Sequence, residues 1–388
     1  MEADPPTAIA HLFDGLEDPR AHRTRLHKLE DILMIALVAI LGGAETWTTV
    51  ELFGRAKQAW FGKFLELPHG IPSHDTFSRV FARLDPEQLN TCFMRWVEHL
   101  TAKRGITPKT VAIDGKTLRA SGDVPRGEPA LHLLSAWAHE TGLVLGQLAC
   151  DGKSNEITAI PELIERLDLK GCTVTVDALN TQKKVARSIL DHAEGYVMTL
   201  KQNHEKLHTD AVLTFAQADD EPSRFRCDEH TTMSKGHGRV ERRCHMTISL
   251  DKQTWRLPAA GGEKERWPGL TALGRVVRER TDKATGQTST QTAYYLLSQP
   301  MTAESFAKAV RGHWGIENAA HWVLDVVFDE DRCRSRKDHG DENFALMRRL
   351  ALNLLRNNRE RTKLSMTSQR HKIGWDIDFL DGLLQHAI

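Results

Sequence analysis

The segment between residues 110 and 200 constrains the fold most, because short β-branched runs alternate there with helical periods in a fixed order. Three strands are predicted first, at 110–113, 131–139 and 143–149. A helix, a strand, a helix and a strand are predicted next, at 156–167, 173–176, 181–193 and 196–200. The order β-β-β-α-β-α-β predicts an α/β fold with helices packed on a mixed sheet.

The flanking segments predict two domains. Residues 1–105 have helical periods and form a predicted helical N-terminal domain, in which Asp85-Pro86-Glu87 is a typical helix start. Residues 106–388 form the second predicted domain, with a β-rich insertion at about 204–300 that is too long for a loop. A helical region at about 332–388 ends the chain.

The overall composition excludes few classes of protein. Lys+Arg and Asp+Glu both number 52, so the net charge is zero and gives no hint of a nucleic-acid partner. The six cysteines include no C-x-x-C pair, which favours a reduced, cytoplasmic protein. The longest apolar run, Ile32 to Ala44, is shorter than the ~20 residues that cross a bilayer, so no membrane span is expected.

Two aspartates stand at the ends of predicted strands. Asp114 follows Val111-Ala112-Ile113, and Asp177 follows the run that ends at Val176. An aspartate at the end of a core strand loses solvation and needs a partner, commonly a cation. For either residue alone, a turn-forming or helix-capping aspartate is the alternative.

A third acid, Glu317, lies within a predicted helix. At 100° per residue it falls on the apolar face with Phe306, Val310 and Leu324. A buried carboxylate must be paired, protonated or bound to a metal, so Glu317 is a candidate ligand. A salt bridge to Arg311 or to a neighbouring domain is the alternative.

Three such acids, two from a sheet and one from a later helix, are what a two-metal phosphodiester site requires. Hard oxygen ligands favour two Mg²⁺ or Mn²⁺ ions, which can stabilise the attacking and the leaving oxygen. Water would serve as the nucleophile for cleavage and a freed 3′-hydroxyl for joining. Asp325 could replace or supplement Glu317 as a ligand.

Several short motifs of the sequence resemble those of the H-repeat-associated insertion-sequence DDE transposases. They are Val111-Ala-Ile-Asp-Gly-Lys-Thr-Leu-Arg119, Lys153-Ser-Asn-Glu-Ile-Thr158, Arg311-Gly-His-Trp-Gly-Ile-Glu-Asn318, His321-Trp-Val-Leu-Asp-Val-Val-Phe328 and Ala351-Leu-Asn-Leu-Leu355. Leu16-Glu-Asp-Pro-Arg20 and Gly70-Ile-Pro-Ser-His-Asp-Thr-Phe77 resemble that family's N-terminal module. The resemblance implies a ribonuclease H-like DDE domain in 106–388, with Asp114, Asp177 and Glu317 as its catalytic acids.

The sequence departs from the family pattern at three places. Asp177-Ala-Leu-Asn-Thr-Gln182 stands where the family commonly has Asp-Ala-Met-Gly-Thr-Gln, but the aspartate is retained. Lys201-Gln-Asn-His204 stands where Lys-Gly-Asn-Gln is usual, which leaves the roles of residues 202 and 204 open. His313 occupies the arginine position of a sister group's Tyr-Arg-Glu-Lys signature.

Local charge suggests where DNA would bind. Residues 332–372 contain twelve Lys or Arg and four acids, a net charge of +8 that could neutralise phosphates or line a solvated helix face. Each candidate DNA contact could instead have a structural role. The candidates are Lys116, Arg119, Lys201, Asn203, Arg311, His313, Trp314, Asn318, Arg332, Arg334, Arg336, Arg348 and Arg349.

The resulting functional prediction is a bacterial transposase that cleaves insertion-sequence ends and transfers the 3′-hydroxyl to target DNA. Its expected partners are the terminal inverted repeats, the target DNA and a second copy of the chain assembled on DNA. The N-terminal domain is the candidate for binding the ends. The alternatives are a metal-dependent nuclease that does not join strands and an inactive DNA-binding remnant.

Overall fold

The computed structural model describes residues 11–123, 127, 129–150, 152, 155–236, 238–250, 267–358 and 362–386. Some residues named above lie outside these ranges. They are Lys153 and Ser154 of one family-like motif and residues 359–361 within the basic stretch 332–372.

The described strands form one mixed sheet. They are β1 (Thr110–Thr117), β2 (His132–Ala138), β3 (Leu143–Cys150), β4 (Thr173–Val176), β5 (Gly195–Leu200), β6 (Arg226–Gly236), β7 (Arg239–Ser249), β8 (Ala272–Asp282) and β9 (Thr288–Leu297). Their order is β3-β2-β1-β4-β5-β9-β8-β7-β6. Strands β1, β4 and β5 are parallel, whereas β2 and β3 are antiparallel to each other. The order 3-2-1-4-5 is that of a ribonuclease H-like sheet, so the predicted fold class is confirmed.

The β-rich insertion extends this sheet. Strand β9 pairs antiparallel with β5, placing Val197 opposite Leu297, and β8, β7 and β6 follow outward. Strand β6 was not predicted from the sequence, because its residues are largely polar and show no alternating pattern of apolar side chains. It also did not predict the helix Glu205–Asp220 that precedes β6.

The helices are distributed along the whole chain. They are α1 (Leu29–Leu41), α2 (Trp47–Ala56), α3 (Gln58–Phe61), α4 (His74–Arg83), α5 (Pro86–Arg104), α6 (Glu156–Glu165), α7 (Lys183–His192), α8 (Glu205–Asp220), α9 (Ala303–Gly315), α10 (Trp322–Val326), α11 (Gly340–Asn358), α12 (Met366–Trp375) and α13 (Ile377–Gln385). Within the described ranges, none of them combines the length and apolarity needed to cross a membrane.

The chain divides into two compact units. Residues 1–107, 115–155 and 317–388 form the first, and residues 108–114 and 156–316 form the second. In the first unit, α11 packs against α1, α4 and α5 and against β3. Asn343 of α11 donates hydrogen bonds to the carbonyl oxygens of Phe81 (2.8 Å) and Leu84 (2.9 Å). The C-terminal helix α11 therefore completes the core around the N-terminal helices.

An aromatic stack lies at the centre of this packing. The Trp47 ring of α2 stacks on Phe81 of α4, with 4.6 Å between centroids, and on Phe344 of α11, with 4.4 Å. Its indole N–H donates to Ser335 Oγ at 3.2 Å. Because Trp47 is only 8% exposed, its ring contributes a large buried apolar area to the first unit.

We predict that Trp47→Ala lowers the free energy of unfolding by about 3–5 kcal/mol, because it leaves a cavity among the stacked rings. Trp375→Ala is the matched control. That residue is 80% exposed, and its replacement should change stability by less than about 0.5 kcal/mol. Denaturant unfolding of both variants measures the difference, and similar losses in the two would contradict the prediction.

Candidate active site

Asp114 and Asp177 occupy matching positions on neighbouring parallel strands. Ala112 of β1 is registered with Thr175 of β4, and Asp114 and Asp177 each lie two residues further along the chain, with Asp177 just beyond the last residue of β4. Because side chains alternate between the two faces of a sheet, this register favours a placement of the two aspartates on the same side of the sheet. Both are half-buried. Asp177 directly follows the last residue of β4, whereas Asp114 lies inside β1, which continues to Thr117, so the prediction that a strand ends just before Asp114 is wrong.

The turn after β4 holds Asp177 in place. The backbone N–H of Asn180 donates to Asp177 Oδ1 at 3.0 Å, a contact typical of a turn-forming aspartate. The amide Nδ2 of Asn180 donates to Glu156 Oε2 at 2.5 Å, and both side chains are buried. Thr181 Oγ1 lies 2.9 Å from the Asp177 carbonyl oxygen. One carboxylate oxygen of Asp177 therefore stabilises the turn after β4, which agrees with the alternative interpretation of a turn-forming aspartate.

His313 links α9 to the same strand. Its Nδ1 lies 3.1 Å from Thr175 Oγ1, two residues before Asp177. Burial lowers the pKa of His313, although Asp177 and Thr175 act in the opposite direction. The imidazole is therefore neutral at neutral pH and acts as a hydrogen-bonding anchor of α9.

The structure corrects the predicted burial of Glu317. Its side chain is exposed, because the α-helix ends at Gly315 and residues Ile316–His321 form a π-helical turn. A π-turn contains more residues than an α-turn, so a wheel at 100° per residue assigns the wrong face beyond Gly315. Such turns occur frequently at functional sites. An exposed carboxylate requires neither pairing nor protonation to be accommodated.

The three predicted acids belong to different parts of the chain. Asp114 and Asp177 lie in the second unit, whereas Glu317 begins the last segment of the first. Within the ranges that the structure describes, no three histidine, cysteine or carboxylate side chains are gathered into a metal-binding group. Mg²⁺ is commonly held by one or two carboxylates, with substrate phosphates and water completing its shell. The carboxylate oxygens of Asp114 and Asp177 are donors of the type that this ion prefers.

Lys116 lies two residues beyond Asp114 and pairs with an acidic segment of the first unit. Its Nζ is 2.7 Å from Asp325 Oδ1, 2.9 Å from Asp331 Oδ1 and 3.4 Å from Glu330 Oε2. Burial would lower the pKa of Lys116, but the three carboxylates outweigh it and raise that pKa. Asp325, the alternative metal ligand, is thus engaged by an ammonium group in this structure.

Glu330 joins this cluster to α11. Its carboxylate, which has no exposed surface, lies 2.7 Å from Nη1 of the equally buried Arg349. Burial opposes ionisation of Glu330, yet Arg349, Lys116 and Arg348 outweigh it and hold its pKa below the usual range. This structural role of Lys116 was not predicted from the sequence. The available signal was a lysine within an apolar strand, which needs an acidic partner.

The predicted DNA contacts divide by exposure. Lys116, Arg348 and Arg349 are buried, at 8%, 1% and 0% exposure. The Arg348 guanidinium stacks on the Phe344 ring at 4.0 Å. These three cations therefore lie in the protein interior. The net charge of +8 for residues 332–372 thus overstates the positive charge at the surface. His313 is half-buried. The exposed candidates are Arg119, Lys201, Asn203, Arg311, Trp314, Asn318, Arg332, Arg334 and Arg336.

Comparisons with known proteins match nearly the whole chain. The family model described as Transposase DDE domain matches residues 106–354, and the DDE_Tnp_1-associated model matches residues 10–97. The chain is 35% identical over 362 residues to YncI of Escherichia coli O157:H7, provisionally named a transposase, covering 92% of this chain and 89% of that protein. It is 34% identical to YhhI of Escherichia coli K12, provisionally named an H repeat-associated transposase, covering 92% of each.

Among solved structures, a piggyBac transposase synaptic complex with hairpin DNA aligns with 99% of this chain and 82% of that chain. The sequence identity is 12% and the TM-score is 0.44, which is below the level that would by itself establish a shared fold.

We predict that Glu330→Gln lowers the free energy of unfolding by about 3–5 kcal/mol, because it leaves Arg349 buried without its counter-charge. Glu304→Gln, which alters an exposed ion pair with Lys308, is the control and should change stability by less than about 0.5 kcal/mol. Since the folded-state pKa of Glu330 is depressed, its contribution is present above its unfolded pKa and is lost as the pH falls. Equal losses in the two variants at pH 7 would contradict this role.

His321 should contribute to acid sensitivity. Burial, reinforced by Arg349 and Lys116, lowers the pKa of His321 to about 3 from 6.5. Between these values the unfolded chain binds a proton at His321 that the folded chain does not, so the stability of the wild type falls as the pH decreases. We expect the stability of His321→Gln to depend less on pH between about 6.5 and 4. Parallel pH profiles of the two proteins would disprove the assignment.

Proposed function

Because this chain belongs to the DDE transposase family, we propose that it cleaves DNA at the ends of an insertion sequence and joins the freed 3′-hydroxyl to target DNA. The matched placement of Asp114 and Asp177 on adjacent parallel strands is the observation that carries the proposal. Carboxylates at these two positions would supply oxygen donors for a divalent ion, as metal-dependent phosphodiester chemistry requires.

We assign Asp114, Asp177 and Glu317 as the catalytic acids. Two bound Mg²⁺ or Mn²⁺ ions would supply stabilisation of the attacking and leaving oxygens. The protein's own contribution is orientation. Asn180 fixes one oxygen of Asp177 through its backbone N–H and leaves the other for a ligand, while the π-turn exposes Glu317 to the solvent.

DNA recognition is proposed for exposed residues near these acids along the chain. Arg119 is 83% exposed, and Trp314 is 50% exposed and can stack on a base. Asn203 donates to the Ala178 carbonyl oxygen at 2.8 Å and so places the β5–α8 connection beside the Asp177 turn. Residues 10–97, which match the associated family model, are proposed to bind the element ends. A homodimer assembled on DNA would bring two ends together.

We predict that Asp114→Asn, Asp177→Asn and Glu317→Gln each reduce Mg²⁺-dependent cleavage about a thousandfold, which corresponds to ~4 kcal/mol of transition-state stabilisation. End binding should persist, because these groups act on the reacting phosphate. Glu304→Gln, an exposed carboxylate on α9, is the control and should retain full activity. Cleavage of labelled element ends by each purified variant measures the effect, and an active variant removes its residue from the assignment.

A precleaved end with a free 3′-hydroxyl separates the alternatives. A transposase should join this end to target DNA without a cleavage step. A nuclease without strand transfer would cleave intact ends but yield no joined product, and an inactive remnant would do neither.

A further inference from the structure

One face of the β7–β8 pair concentrates positive charge. Arg243 of β7 is registered with Arg278 of β8, and Glu241 with Arg280. Side chains two residues apart on a strand share a face, so all four project from the same side of the sheet. Three guanidinium groups and one carboxylate leave this face with an excess of two positive charges.

Glu241 is the common partner of these arginines. Its Oε1 lies 2.8 Å from Arg243 Nη2, 3.6 Å from Arg280 Nε and 3.7 Å from Arg278 Nε. The side chains are between 17% and 37% exposed, so each is partly open to solvent, although Glu241 Oε1 itself is buried. A single carboxylate cannot satisfy three guanidinium groups, each of which offers five donors.

Arg311 of α9 adds a fourth cation. It is exposed, and the pKa of Arg243 is lowered by burial and by the positive charges of Arg311, Arg278 and Arg280, against the effect of Glu241. Nη1 of Arg243 is buried and has no hydrogen-bond partner among the described residues. Arg278 also donates to Gln291 Oε1, but Gln291 is neutral, so the cluster keeps an excess of positive charge.

The opposite face of the same strands is balanced. There Arg242 of β7 pairs with Glu279 of β8 at 3.2 Å, one cation to one anion. The excess charge is thus a property of one face and not of these strands in general.

We propose that the face formed by Arg243, Arg278, Arg280 and Arg311 binds the phosphate backbone of DNA, and that Glu241 occupies the place of a phosphate when DNA is absent. Guanidinium groups bind phosphate oxygens in the same forked geometry as carboxylates, so a phosphate can replace Glu241. The inference rests on the proposed function, which makes DNA the ligand.

The arginine cluster is linked through α9 to the strand that precedes Asp177. Arg311 lies two residues before His313, whose Nδ1 contacts Thr175 beside the Asp177 turn. Helix α9 therefore connects the arginine face to the strand that bears a catalytic acid.

The test compares variants on the two faces, using fluorescence anisotropy with a labelled DNA duplex of arbitrary sequence over a range of salt concentrations. Arg278→Gln and Arg280→Gln should each weaken binding about threefold to tenfold and reduce the salt slope by about 1. Glu241→Gln should tighten binding, because it removes the competing carboxylate. The control Arg242→Gln removes the same formal charge from the opposite face and should leave binding within about twofold. Thermal unfolding confirms that each variant is folded.

The outcomes are distinguishable. If Arg242→Gln weakens binding as much as Arg280→Gln, or if Glu241→Gln does not tighten it, the arginine face is not the phosphate site. Should the wild type bind DNA and cleave element ends while the Arg278 and Arg280 variants bind normally, the inference fails and the proposed function stands. Wild-type protein that neither binds nor cleaves DNA would overturn both.

Discussion

The buried carboxylate of Glu330 is the constraint on which the first unit depends. A lone charge in this position would be strongly destabilising, yet Arg349 on α11 and Lys116 at the end of β1 both compensate it. The cluster thereby ties together a strand, the segment that follows the π-turn and the central C-terminal helix. Removing any one of these charged residues leaves the others without a counter-charge. The three elements therefore depend on one another for their stability.

Much of the sheet could be predicted because its strands carry a strong apolar signal. The strand at 173–176 was predicted with its observed bounds, and the helix at 156–167 ends two residues earlier, at Glu165. Strand β6 lacked such a signal, since backbone pairing with β7 rather than apolar burial defines it. The pairing of β9 with β5 also could not be predicted from the sequence, because long-range strand pairing depends on tertiary structure.

The candidate site shows the same division between local and long-range information. Asp114 and Asp177 could be singled out because an acid directly after an apolar run is unusual, and the register of β1 with β4 gives them equivalent positions along the chain. The burial of Glu317 was predicted wrongly because a regular wheel cannot anticipate a π-turn. Arg348 and Arg349 were counted as surface charge because a linear charge count contains no information about burial.

The placement of α11 has a consequence for biosynthesis. The apolar faces of α1, α4 and α5 pack against a helix that lies near the other end of the polypeptide. During translation these faces stay uncovered until the ribosome has released α11, which makes nascent chains candidates for chaperone binding. A messenger truncated before codon 340 would encode a product with a permanently open core, prone to aggregation and proteolysis.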